Sequence, residues 1–191
     1  MLGRGQARSV RLPAARQPAI VGHMTSPYQI QIANQQANTP VAEAQLLHCA
    51  HETLRLEGIA RAEISIAIVD DPTIHKINRE HLQHDYPTDV ISFLLDSGEA
   101  DPRSLSHDGP QGRGHGIWID GEIILSADTA VREAQEYGWD ASSEMGLYVV
   151  HGLLHLCGYD DLTDEEQAIM RDREREVLAS LGLSPQYGED E

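Results

Sequence analysis

From residue 28 onward the chain switches repeatedly between two spacings of hydrophobic residues. Tyr28-Gln29-Ile30-Gln31-Ile32-Ala33 is apolar at every second position, as a strand with one buried face should be. Residues 63–69 repeat that alternation around Ile64, Ile66 and Ile68, and residues 89–93 form a shorter third strand. A fourth is predicted over 117–126, with Asp120-Gly121 marking a turn or bulge inside it. Thr39-Pro40-Val41 opens a helix through about Leu56, with Thr39 as N-cap and Pro40 in the first turn. Asp70 or Asp71 caps a short helix over 72–82 that carries Ile74, Ile77 and Leu82 on one side. Three more helices are predicted at about 127–138, 141–157 and 163–181. Residues 96–116 are rich in Gly, Pro, Ser and Asp without apolar periodicity, which predicts a long loop. Strands and helices mixed without regular alternation predict an α+β fold, with a small mixed sheet of about four strands packed against about five helices.

Length and composition place this pattern in one domain. With 191 residues, 40% hydrophobic and 24% charged, the chain suits a soluble globular protein. Its folded part is expected over 25–185, between a basic leader at 1–24 and an acidic tail at 186–191. The leader holds Arg4, Arg8, Arg11 and Arg16, no acidic residue and no apolar core of a secretory signal. It resembles an organellar transit peptide; the plainer reading is a disordered extension ahead of a working start at Met24. No apolar run approaches the ~20 residues that span a bilayer. The longest, 145–156, is interrupted by His151 and His155 and is expected to be a buried helix. Cys49 and Cys157 alone make no disulfide framework, which points to a reducing cytoplasm.

Charge narrows the choice of partner. The formal net charge is −17, and Lys76 is the only lysine. Nonspecific binding to nucleic acid rests largely on Lys and Arg neutralising phosphates. Any action on nucleic acid would therefore have to rest on a local cationic site, on a metal ion, or on a partner that delivers the strand.

The segment richest in chemistry is His151-Gly152-Leu153-Leu154-His155-Leu156-Cys157-Gly158-Tyr159-Asp160-Asp161. Histidines at i and i+4 of a helix share a face, so both imidazoles can reach one ion. Gly158 stands where helices commonly end in a left-handed residue, and the returning chain could bring residue 161 back as a third ligand. Three protein ligands and one open position are the arrangement of a catalytic zinc site. Two histidines at this spacing also arise by chance, each hydrogen-bonded within a core. Against that stands an otherwise almost wholly apolar helix, where two titratable rings are costly without a strong partner. Cys157 would face away from both histidines and is expected to pack in the core. His107 and His115, in the predicted loop, are expected to be solvated rather than metal-bound. The spacing matches zinc proteases of the H-E-x-x-H-x-x-G-x-x-H or D type as well. The residue that would be their general base is here Gly152, which can neither accept nor donate a proton.

His151-Gly-Leu-Leu-His-Leu-Cys-Gly-Tyr-Asp resembles the signature H-G-x-L-H-L-x-G-Y-D-H of the YbeY family. Asp71 through Ile77-Asn78-Arg79, then Asp85-Tyr86-Pro87-Thr88-Asp89-Val90-Ile91-Ser92-Phe93, and Gly121-Glu122-Ile123 with Asp128-Thr129-Ala130 resemble further family motifs in order and spacing. The likeness covers about residues 28–180. It implies a zinc-dependent endoribonuclease specific for single strands, holding one zinc ion. Its role would be in processing small-subunit ribosomal RNA near the 3′ end and in ribosome quality control. The implied partners are single-stranded RNA and the small ribosomal subunit, with no DNA and no membrane.

Three features depart from the family: the long loop, the basic leader, and Asp161 in the place of the third histidine ligand. Aspartate is an ordinary zinc ligand, so the site survives the exchange. Its added negative charge should make the metal a weaker Lewis acid. Asp160 is a rival for the ligand, equally acidic and one residue away. For charge developing on phosphate, Arg79 is the candidate catalytic cation, because guanidinium matches phosphate oxygens bidentately. Lys76, three residues earlier, shares that helix face. The alternative for Arg79 is a surface ion pair with Glu80 or Asp85, while the resemblance implies a functional arginine. A ribosome-assembly binding factor with a structural metal and little nuclease activity is the competing function.

Overall fold

The computed structural model describes residues 26–101 and 112–185, so the leader, the acidic tail and His107 lie outside the described residues. The alternating segments form one four-stranded sheet of β1 (Tyr28–Asn34), β2 (Arg61–Val69), β3 (Val90–Glu99) and β4 (Ile117–Ser126). The strand order is β1-β2-β4-β3, with β1, β2 and β4 parallel and β3 antiparallel to β4. Around it pack α1 (Glu43–Leu56), α2 (Asp71–Ile77), α3 (Ala127–Tyr137), α4 (Ala141–Leu156) and α5 (Asp164–Ser180). This is the α+β architecture that the hydrophobic pattern predicts. No helix among the described residues is long and apolar enough to cross a membrane.

The core follows from the near-continuous apolarity of α4. A helix that is hydrophobic all round must be covered all round. Accordingly α4 contacts α1, α3, α5, β3 and β4, and Met145, Val149, Val150, Leu153 and Leu154 are fully buried. Gly152 lies where α4 rests on the sheet. A Cβ there would meet Ile123 and Val90 at 3.3–3.4 Å, so glycine permits the close approach. On β2, Ile64, Ile66 and Ile68 join this main core, while Ala67 and Val69 point to the other face. That second face is covered at one end by Ile74 of α2, packed with Ile91 and Ile124.

Boundaries differ from the sequence expectation in three places. α1 starts at Glu43, not at Thr39-Pro40, and its N-cap Ala42 makes no side-chain bond. The Gln36 side chain bonds the Thr39 N–H at 2.8 Å and its carbonyl at 2.9 Å, holding Thr39 in a loop. The third strand runs on to Glu99, because residues 96–99 pair through their backbones with 117–120 despite lacking apolar alternation. The expected loop is shortened accordingly. The irregularity placed at Asp120-Gly121 belongs to the opposing strand: the register shifts between Leu94 and Asp96, facing those residues. Asp70 caps α2, accepting from the Thr73 N–H at 3.0 Å, and the helix continues as a π-helical turn over Asn78–Leu82.

Candidate metal centre

Asp140 caps the N-terminus of α4 by accepting from the Ser143 N–H at 3.0 Å. At the other end Gly158 takes φ +94°, in the left-handed region that glycine enters without strain. The N–H groups of Gly158 and Tyr159 bond back to the carbonyls of His155 and Leu154, each at 3.0 Å. The reversal brings Asp161 opposite the two histidines, as the spacing predicts. Its Oδ2 lies 3.8 Å from His151 Nε2 and 3.9 Å from His155 Nε2. The two Nε2 atoms are 3.0 Å apart, and one ligating atom from each of the three residues falls within 4.8 Å of the others.

The remaining ring nitrogens determine what this cluster can hold. His151 Nδ1 sits 2.7 Å from Glu174 Oε1, and His155 Nδ1 sits 3.1 Å from the Tyr159 carbonyl oxygen. A carbonyl, and a carboxylate in its ionised form, only accept, so each Nδ1 carries the proton and each neutral ring presents a lone pair at Nε2. Two lone pairs facing each other at 3.0 Å, with a carboxylate oxygen beside them, repel unless positive charge lies between them. Two imidazole nitrogens and one carboxylate oxygen therefore fit a divalent transition-metal cation. Burial would lower the His151 pKa. Glu174, with help from Asp89 and Asp161, outweighs that and raises it, in keeping with the acidic groups gathered around the ring.

The neighbouring residues sort as follows. Asp160 is exposed, and its Oδ1 accepts from the Asp161 N–H at 2.8 Å, so it shapes the turn and stays out of the cluster. Cys157 is buried in the main core. Gly152 faces the sheet, so a protease-type glutamate there would be driven into Ile123 and Val90. His115 is half-buried and outside the cluster.

A cleft of about 470 Å³ opens beside the cluster, with His151, Asp161 and Glu174 on its wall. Its cations are Arg132 and Arg171, and its acids include Asp89, Glu133 and Glu144. Arg132 is held by Asp71 at 3.1 Å and by Thr129 at 3.0 Å. The hydroxyl of Tyr148, one turn before His151, is buried there beside the Glu144 carboxylate. Arg79 does not line the cleft. It is 58% exposed on the π-helical turn, with Nη1 3.8 Å from Asp85, whose carboxylate His75 also engages at 2.8 Å.

Sequence reasoning missed Glu174, Tyr148, Arg132 and Arg171. A signal for Glu174 exists. It falls in register with Met170, Val177 and Leu178 on the buried face of α5, where an unpaired carboxylate would be costly.

The sequence model of the family described as Endoribonuclease YbeY matches residues 31–182. The chain belongs to the YbeY family. Relatives named Endoribonuclease YbeY include one from Bacillus licheniformis, 44% identical over 130 residues, which are 67% of this chain and 78% of that protein. Another, from Pelotomaculum thermopropionicum, is 39% identical over 81% of this chain and 98% of its own length. A third, from Moorella thermoacetica, is 40% identical over the same 81% and 98%. The YbeY match contains every residue of the cluster, of the cleft and of the π-helical turn.

Proposed function

We propose that this chain is a metal-dependent endoribonuclease specific for single strands. It would act in the cytoplasm on small-subunit ribosomal RNA, near the 3′ end, and in ribosome quality control. His151, His155 and Asp161 would hold one zinc ion. The observation that carries this reading is the pair of Nε2 atoms 3.0 Å apart, backed by Asp161 and open to a cleft, in a chain whose relatives are named endoribonucleases. The buried thiols, both free, suit a reducing compartment.

When bound, such an ion polarises a phosphodiester oxygen and lowers the pKa of a water. The chain's own residues do the rest. Glu174 and the Tyr159 carbonyl fix the tautomer and direction of both rings. Arg132 and Arg171 offer positive charge inside an otherwise acidic cleft. Tyr148 and Glu144 stand together on the same wall. Arg79, outside the cleft, suits a flanking phosphate of the strand.

The acidic balance of the chain, −17, favours a second reading: an assembly factor whose metal is structural. The discriminating experiment measures metal content and cleavage of single-stranded RNA in one preparation, with and without chelator. Stoichiometric zinc with chelator-sensitive cleavage is expected. Bound zinc without cleavage would overturn the nuclease reading in favour of the binding factor.

A further inference from the structure

The segment from His75 to Tyr86 differs in character from the rest of the chain. It carries Lys76 and Arg79 against Glu80 and Asp85, together with His75, His81 and His84, in a chain of net charge −17. Its aromatic rings are arranged. His84 and Tyr86 stack with centroids 5.4 Å apart and ring planes within 9°, and both are exposed, Tyr86 by 55%. Apolar ring surface is usually covered in a folded chain, so an exposed parallel pair has a free face on which a further planar group can stack.

The backbone beneath the pair is held, not loose. The chain passes through the π-helical turn, a rare geometry that is frequent at functional sites. It then turns at Gln83, a non-glycine residue at φ +64°, a conformation that costs energy and persists only where its surroundings enforce it. Asn78, 1% exposed, donates from Nδ2 to the Tyr86 carbonyl at 2.9 Å, and His81 packs edge-on against Phe93 of β3. Directly after Tyr86, residues Pro87, Thr88 and Asp89 enter the wall of the cleft. The stack therefore directly precedes the cleft wall along the chain, with Lys76 and Arg79 exposed on the preceding turns.

We infer that His84 and Tyr86 form a stacking platform for one unpaired base of an RNA strand entering the cleft, with Lys76 and Arg79 beside its phosphates. Base faces are free only where a strand is unpaired, so such a platform selects single strands over duplex. This inference rests on the endoribonuclease reading for the identity of its ligand.

The test mixes the metal-loaded full chain with an eight-nucleotide single-stranded RNA carrying 2-aminopurine. Fluorescence is followed within the first second, and cleavage is measured separately. Stacking should quench the fluorophore. His84→Ala with Tyr86→Ala should abolish the quench and weaken binding about five- to 150-fold. Metal content and melting temperature should stay unchanged, since both side chains are exposed. Tyr86→Trp should restore the quench. An abasic site in place of the fluorophore should weaken wild-type binding similarly and leave the double variant no weaker still. A full quench in the double variant, an equal loss on the abasic strand, or no binding by the wild type would each overturn the platform. Quenching without any cleavage would leave the platform standing and remove the nuclease reading instead.

Discussion

His151 Nδ1 lies 2.7 Å from Oε1 of Glu174, a carboxylate only 3% exposed that α5 presents from behind the ring. The contact sets which nitrogen of His151 is free to bind an ion. Partners of this kind raise ligand basicity, and their loss costs about 10–100-fold in metal affinity. Glu174→Ala should therefore weaken zinc binding by about that factor, measured by competition with a chromogenic chelator. Glu174→Gln, which keeps the shape and part of the hydrogen bonding, should lose less. Unchanged affinity in the alanine variant would detach Glu174 from the metal centre.

Asp161 and Asp160 are told apart by geometry: the first faces both Nε2 atoms, the second bonds the backbone N–H of its neighbour. Asp161→Ala should lower zinc affinity more than the Glu174 substitution does, and Asp160→Ala should change it little. Asp161→His should retain the ion and, by replacing a carboxylate with a neutral ring, move the cleavage pH profile to lower pH. Full affinity in Asp161→Ala would remove the residue from the ligand set.

Much of this site is legible in the sequence because its signals are local. The i, i+4 spacing of His151 and His155, the left-handed stop at Gly158 and the return to Asp161 all lie within 11 residues, and helix geometry alone relates them. The sheet was equally legible where strands alternate, as in β1 and β2. It was hidden in the outer half of β3, where backbone pairing with β4 decides and the side chains face solvent. Arg132 reaches the cleft from α3, and Arg171 and Glu174 reach it from α5, so their convergence with α4 depends on packing that no single segment encodes. The start of α1 was misplaced for a related reason: a Gln36 side chain, not a propensity, holds Thr39 out of the helix.

Glu57 is fully buried, and the Arg173 Nε donates to it at 2.6 Å while Nη2 donates to the Leu56 carbonyl at 2.8 Å. Its other contacts, from the Tyr159 hydroxyl and the Gly114 N–H, are long at 3.4 and 3.5 Å. Removing the guanidinium leaves a charge buried without its partner. Arg173→Ala should cost about 3–5 kcal/mol, a fall in melting temperature of about 6–20 °C for a chain of this size. Combining Arg173→Met with Glu57→Gln should recover part of that loss. A single variant as stable as wild type would show that solvent reaches Glu57.

Both thiols are buried, Cys49 at 1% and Cys157 at 3% exposure. Burial pushes Cys49 up to about 11 and raises Cys157 as well, with the Glu57 carboxylate adding to the effect there. The thiolate is the reactive form, so neither should react with iodoacetamide at pH 8 in the native protein. Both should be labelled in urea, as read by mass spectrometry. Labelling of Cys157 in the native state would mean that the turn after α4 opens.

Asp71 joins the starts of α2 and α3. Ser126 and Thr129 donate to its Oδ1 at 2.5 and 2.7 Å, Arg132 donates to Oδ2 at 3.1 Å, and its own N–H bonds Asp128 at 3.1 Å. Burial alone would raise its pKa, but these three donors outweigh burial and hold the carboxyl below its ordinary value. A group depressed in the folded state stabilises the protein above its unfolded pKa, near 3.9, and loses that contribution as pH falls through the folded value. Asp71→Asn should accordingly be less stable than wild type at pH 6, by about 1–2 kcal/mol for weakened hydrogen bonds to a charged acceptor. The gap in melting temperature should narrow below about pH 4. Melting curves of both proteins between pH 2 and pH 7 test this. A gap that stays constant across that range would mean that the carboxyl is not held ionised by its donors, and that the substitution acts through packing at the junction of α2 and α3.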